Sequence, residues 1–325
     1  MGVGVILSDA SDGPSAVVVL RHFDCDESPA AIISILQRDR VALIQNVSPD
    51  DADVAIAAVA DGLSLFERLE LQATFASIHN HRGNIGKYFM SVNERSEFQF
   101  IAPHSEGNAT VCMQLAASYA YENTTDGGLT ILHHTDSESA QWSVLREVVR
   151  KVDLCGRTLS EQEEMEAKVR YSISIPESIV SPSDEILAEI QPLIPGIRCF
   201  NVLAKPRRTR SVILNKEVYA YWASISGPDR DSTKEYAALL HRLGLLKEPA
   251  VYGDVAKLDG IENSNNTNLI KVWDSGAKFD DLFDSRLVLK LEAGELIIFN
   301  NLTWTHAATN WTPGSGDRNV VVAFA

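Results

Sequence analysis

The stretch Ala293-Gly294-Glu295-Leu296-Ile297-Ile298-Phe299-Asn300-Asn301, continued by Trp304-Thr305-His306 and by Gly316-Asp317-Arg318-Asn319-Val320-Val321-Val322, decides the fold. A glycine turn leads into a buried strand, a histidine stands at the entry of the next strand, and an arginine opens the last one. That order could bring the imidazole and the guanidinium inside one barrel. Taken singly, His306 is more simply a satisfied core histidine and Arg318 a charge at the start of a surface strand. Their meaning depends on what else the chain supplies.

Upstream stands His104-Ser105-Glu106. A His-x-acid triplet alone says little: with 8 His and 44 acids among 325 residues, about one is expected by chance. Three occur, the others being His22-Phe23-Asp24 and His134-Thr135-Asp136. Strand-like sequence flanks the middle one, and on a strand residues i and i+2 face the same side. His134 and Asp136 read as a turn with a helix cap, since a helical pattern follows. His22 runs into the acidic turn Asp24 to Glu27, and His79-Asn80-His81 reads as a surface turn. Two imidazoles and one carboxylate, His104, Glu106 and His306, would make the facial triad that suits non-haem Fe(II) and leaves coordination positions open. A cation downstream, Arg318, offers an anchor for a carboxylate.

A further element is Asp126-Gly127-Gly128-Leu129-Thr130. The glycine pair permits a tight turn, after which a strand from Leu129 would run back beside the metal strand. A Thr130 hydroxyl there could bond a carboxylate, although an exposed threonine on a plain hairpin fits as well.

The rest of the chain frames these motifs. Val17–Leu20 and Val41–Gln45 read as short buried strands, and residues 50–76 as helical. Glu97–Ile101 and Thr110–Tyr121 read as strands, Gln141–Val152 as an amphipathic helix, and Ser160-x-x-Glu163 as a capping box before an acidic helix. Helical stretches are expected near Asp184–Ile190 and Lys234–Leu246. β-rich segments return at Leu269–Trp273, Arg286–Leu291, Glu295–Phe299 and Asn319–Phe324. Strand-rich ends enclosing a helical middle fit one domain, mainly β with flanking helices, better than two domains. Its core is an antiparallel double sheet over about 90–135 and 266–325, with a lid or insert over about 180–265.

Composition narrows the partners. The apolar fraction of 45% and the charged fraction of 22% are those of a globular protein. A net charge of −15 argues against nucleic acid or an anionic membrane surface. Met1-Gly2-Val3-Gly4-Val5 lacks the basic segment of a signal peptide, and no apolar run reaches spanning length. Cys25, Cys112, Cys155 and Cys199 are isolated, with no CxxC pair, and read as reduced thiols. A cytoplasmic protein with a small-molecule substrate is expected; the sequence leaves its oligomeric state open.

In the order His104, Glu106, Gly127-Gly128-x-Thr130, His306, Arg318, the chain resembles the Fe(II)/2-oxoglutarate-dependent oxygenases of the taurine dioxygenase type. The His-x-Glu form is similar to the clavaminate synthase-like branch. The resemblance spans roughly residues 41–325 and implies a double-stranded β-helix, or jelly roll. It implies that His104, Glu106 and His306 bind Fe(II), and that Arg318, assisted by Thr130, pairs with the far carboxylate of 2-oxoglutarate. With O2 as second cosubstrate, the implied reaction hydroxylates an unactivated C–H bond and releases succinate and CO2. An acidic ligand at Glu106 argues for hydroxylation over halogenation, with desaturation or cyclisation as other outcomes.

The chain departs from the family's pattern twice. The stretch from Glu106 to His306 is longer than usual, and the second arginine that often follows the anchor is absent, since Val320 to Ala325 carries no charge.

Asn108, Phe100 and Trp304 are expected to border the pocket, with Arg207 and Arg210 as possible contacts from the insert. By resemblance the substrate is a small amino-acid-like or natural-product molecule. Three rivals are kept: a zinc hydrolase, which lacks its helical HExxH spacing and leaves Arg318 unexplained; a non-catalytic small-molecule binding protein of the same fold; and iron held through His134 and Asp136.

Overall fold

The computed structural model describes residues 16–79, 83–92, 99–107, 112–135, 138–171, 173–192, 194–205, 208–221, 230–248, 250, 271–272 and 282–325. The chain opens with β1 (Val17–Leu20), α1 (Ser28–Leu36), β2 (Val41–Ile44), α2 (Pro49–Gly62) and α3 (Phe66–His79). β1 and β2 pair in parallel, and α1 makes the crossover that a parallel pair requires. Ser48 caps α2 by accepting the Asp51 N–H at 3.2 Å, with Pro49 in the first turn and Asp50 and Asp51 at the positive end of the helix dipole. Ala52, Ala55, Ile56, Val59 and Ala60 form the stripe by which α2 packs on the sheet.

Next come β3 (Met90–Ser91), β4 (Ile101–His104), β5 (Leu115–Asn123) and β6 (Thr130–Thr135). The middle of the chain holds α4 (Ala140–Val144), β7 (Arg146–Asp153), α5 (Glu161–Tyr171), β8 (Glu185–Ile190), β9 (Arg198–Ala204), β10 (Arg208–Ser211), β11 (Lys216–Tyr219), α6 (Arg230–Arg242) and β12 (Lys271–Val272). The last four strands are β13 (Phe283–Leu289), β14 (Glu295–Asn300), β15 (Trp304–Ala308) and β16 (Arg318–Phe324).

Two sheets form the core, one ordered β1-β2-β14-β5-β16-β3 and the other β13-β6-β15-β4. From β3 to β6, and again from β13 to β16, each successive strand lies in the opposite sheet. That alternation is a jelly roll, and the fold is mainly β with flanking helices. Period-two alternation sorts the side chains: Ile297, Phe299, Val320, Val322 and Phe324 face the second sheet, where Leu132, Leu287 and Trp304 meet them. Leu296, Ile298, Val321 and Ala323 point the other way, under α1 and α2. Covered on both faces, β14 and β16 need apolar residues at nearly every position.

The middle of the chain departs from expectation. Residues 141–152 are helical only as far as Val144, and Arg146–Asp153 is β7. Val148, Val149 and Val152 are β-branched, and the ladder to β9, from Glu147↔Ala204 to Asp153↔Arg198, outweighs a helical period that the same residues satisfy. Glu185–Ile190, expected as helix, is likewise a strand paired with β9. These strands form a third sheet, β12-β7-β9-β8, with its own small core around Val152, Leu159, Ala167 and Cys199.

The capping box holds: Glu163 N–H donates to Ser160 Oγ at 3.3 Å, and Ser160 N–H donates to Glu163 Oε2 at 2.9 Å. The four cysteines are free thiols. Among the described residues no helix is long and apolar enough to cross a membrane.

Candidate metal centre

β4 and β15 are antiparallel neighbours, and their register sets His306 opposite His104. The ladder then jumps to Ala308↔Ile101, so β4 carries an extra residue there. Pro103 lies in this bulge, where a residue without an N–H costs the ladder little. The bulge also decides which way His104 points. Phe100 and Ala102 belong to the cluster on the outer face of the second sheet, and strict alternation would send His104 there too. With the extra residue the two rings meet at 4.3 Å between centroids, and Phe299 and Phe324 flank His306 from the opposite sheet at 6.0 and 6.4 Å.

Glu106 follows just past the end of β4. Its Oε1 lies 3.7 Å from His104 Nε2 and 3.7 Å from His306 Nε2. The three ligand atoms all lie within 4.8 Å of one another, the one such group of His, Cys, Asp or Glu among the described residues. Separations of 3.7 Å are too long for hydrogen bonds and suit groups converging on one ion. His104 Nδ1 is 2.9 Å from the Ala102 carbonyl, so it carries the proton and leaves the Nε2 lone pair facing Glu106. Two imidazole nitrogens from strands and one carboxylate oxygen from the turn after β4, all half-buried, fit a divalent first-row metal with open positions.

The ligand turn is held by groups that sequence reasoning missed. Asn301, fully buried in the β14–β15 turn, accepts the Glu106 N–H at 3.0 Å and donates to the carbonyls of Glu106 at 3.0 Å and Met113 at 2.8 Å. Ser105 N–H donates to the Tyr221 carbonyl at 2.8 Å.

Arg318 begins β16 opposite Asn123. It is half-buried, and its Nε donates to the Gly128 carbonyl at 3.1 Å. Burial pulls its pKa down to about 10, which leaves it cationic at neutral pH. It meets no carboxylate among the described residues, the condition of a cation that awaits an anion.

The glycine pair has two separate reasons. A Cβ on Gly127 would stand 2.1 Å from the Asn310 carbonyl oxygen. Gly128 has φ +60, and a Cβ there would lie 2.8 Å from Arg318 Cδ. Thr130, two residues on, is buried at the start of β6 between Leu289 and Ala308. Lys290 is a second cation at this turn: its Nζ donates to Asn123 Oδ1 at 3.0 Å, Thr125 Oγ1 at 3.2 Å, Gly127 O at 2.8 Å and also to Thr125 O. Its only sequence signal was a charge closing the apolar run Leu287-Val288-Leu289.

The other expected residues are placed less centrally. Asn108 and Arg207 lie outside the described residues. Phe100 faces outward and packs on Tyr236 at 5.8 Å. Trp304 shares the inner face, but its Nε1–H donates to the Asp39 carbonyl at 3.2 Å and its ring packs on His134 at 4.6 Å. Arg210 is exposed and bonds Asn215 within its own hairpin. The structure therefore does not bring Phe100, Trp304 or Arg210 to the three ligands: the bulge turns Phe100 away, and the other two are committed elsewhere.

His134 lies in β6, not at a helix start. Its Nδ1 and Nε2 are 2.7 Å from Asp284 Oδ1 and 2.9 Å from Asp39 Oδ2. With both nitrogens engaged it has no lone pair for a metal, and Asp136 lies outside the described residues.

No family model matches the chain, and no curated protein matches it. Among the solved structures that match, two align over most of its length. AAD-2 in complex with Mn(II) and N-oxalylglycine is 12% identical, covering 95% of this chain and 93% of that one, with a TM-score of 0.39. A Burkholderia xenovorans protein, assigned as an alpha-ketoglutarate dependent 2,4-D dioxygenase, is 11% identical, covering 98% of this chain and 96% of that one, also at 0.39. Likeness that remote carries no argument about this chain, whose site is read from its own geometry.

Proposed function

We propose that the chain is an Fe(II)- and 2-oxoglutarate-dependent oxygenase that hydroxylates an unactivated C–H bond of a small amino-acid-like or natural-product substrate. The balance is R–H + 2-oxoglutarate + O2 giving R–OH + succinate + CO2. The observation that carries the reading is the pairing of two sites in one jelly roll. Three ligand atoms converge within 4.8 Å, and a half-buried guanidinium without a carboxylate neighbour among the described residues stands on the same core.

Iron and 2-oxoglutarate, when bound, supply the oxidising power for C–H cleavage. The residues of this chain supply position. His104 and His306 present their Nε2 atoms and Glu106 its carboxylate from one side, leaving the remaining positions for small molecules. Arg318 would pair with the far carboxylate of 2-oxoglutarate and Thr130 would bond it, which would hold the cosubstrate by that end. Phe299 and Phe324 line the inner face beside His306 and keep water from that side. A zinc hydrolase would use the three ligands but would have no task for Arg318.

Anaerobic addition of Fe(II) and then 2-oxoglutarate should give a visible metal-to-ligand absorption band. Screening polar metabolites for substrate-stimulated succinate release should then name the substrate. Absence of the band, with Fe(II) bound, would point to a binding protein of the same fold.

A further inference from the structure

The ligands reach the interior from segments far apart in the chain, and one buried amide joins those segments. Asn301 sits in the turn that delivers His306, and it holds Glu106 by both its N–H and its carbonyl. Glu106 lies beyond the last ladder pair of β4 and before the isolated bridge Gly107↔Cys112, so no ladder pair holds its own backbone. The same amide also takes the Met113 carbonyl, just before β5. The contact therefore ties the glutamate turn to the histidine turn across 195 positions of sequence.

On the reading of His104, Glu106 and His306 as a metal centre, we propose that Asn301 is a positioning residue for the metal. Glutamate has one more rotatable bond than aspartate, so its carboxylate is placed only as well as its backbone is held. A working site needs ligand placement to within about 0.5 Å. Asn301 uses one acceptor and two donors for that purpose, which only a primary amide can supply at this length. Asn300 is a built-in control. It is equally buried, but it bonds Ser211 Oγ at 3.2 Å and the Leu302 N–H at 3.0 Å, with no side-chain hydrogen bond to Glu106 among the described residues.

The test is Co(II) titration of the whole chain, read by calorimetry and by visible absorption of the bound ion, with Asn301→Asp, Asn301→Ala and Asn300→Ala beside the wild type. Asn301→Asp keeps volume but cannot donate. Its Co(II) affinity should fall roughly 10–100-fold, the usual cost of losing a partner that orients a ligand. The absorption should change as well, while the metal-free circular dichroism stays as in the wild type. Asn301→Ala should show the same where it folds, and Asn300→Ala should bind as the wild type does.

Wild-type affinity and spectrum in Asn301→Asp would overturn the proposal. So would an equal loss in Asn300→Ala, which would mark general loosening of the turn. A wild-type chain that binds no Co(II), or a Glu106→Ala variant that binds it undiminished, would instead remove the metal reading beneath the proposal.

Discussion

His306 stands opposite His104 across the β4–β15 ladder with ring centroids 4.3 Å apart, although alternation along β4 from Phe100 and Ala102 would turn His104 outward. The extra residue at Pro103 creates the site. A divalent ion bound only by the folded chain should then stabilise it, by about 2.7 kcal/mol when free metal is one hundred times Kd. Thermal melts with Co(II) and with EDTA measure this. Glu106→Ala should abolish the increment, and an undiminished response in that variant would show the metal to sit elsewhere.

Arg318 should decide cosubstrate affinity. Removing one member of a buried ion pair costs roughly 3–5 kcal/mol, which is at least two orders of magnitude in binding. Arg318→Ala should weaken 2-oxoglutarate by that factor in an anaerobic absorption titration and leave Fe(II) affinity unchanged. Arg318→Lys should recover only part of it, because a point charge cannot reproduce a two-pronged contact. Unaltered 2-oxoglutarate binding in Arg318→Ala would refute the anchor.

Gly128 and Gly314 separate two costs. Both have positive φ, +60 and +73, so alanine at either place pays roughly 1–2 kcal/mol of backbone strain. Gly314 has nothing within 4 Å of an added Cβ, whereas at Gly128 the methyl would meet Arg318 Cδ at 2.8 Å. Urea unfolding should show Gly128→Ala to be the more destabilised. Only Gly128→Ala should also weaken 2-oxoglutarate, and similar behaviour of the two variants would mean that the guanidinium moves aside freely.

How far the sequence could be read depended on how local the cause was. β14 and β16 were legible because burial on both faces demands the apolar runs Leu296–Phe299 and Val320–Phe324. The three ligands were legible by their order along the chain, with Gly127-Gly128 and Arg318, rather than by any one triplet. What was hidden depended on distant partners. β7 satisfies a helical period, and its ladders to β9 and β12 make it a strand. The bulge shows in sequence only as Pro103, and the orientations of Phe100 and His104 both follow from it. Asn301 had no signal of its own and Lys290 only its charge after an apolar run, since their acceptors are assembled by folding.

His134 should give the fold a pH dependence on the alkaline side. Burial alone would depress its pKa, but hydrogen bonds and charge from Asp284 and Asp39 outweigh that and raise it to about 9. A group whose folded pKa exceeds its unfolded value binds its proton more tightly in the folded chain. Its contribution is therefore complete below about pH 6.5 and is lost as pH rises from there through 9. The loss amounts to about 3 kcal/mol at most, at 1.36 kcal/mol per unit. Asp39 and Asp284 come from the α1–β2 turn and from β13, so the imidazolium fastens both sheets at one end of the core. Urea unfolding free energies measured between pH 6 and 9.5 should fall across that window. In His134→Gln they should be lower at pH 6 and nearly level thereafter, and a wild-type curve that stays flat would show that the imidazole is not held as a cation.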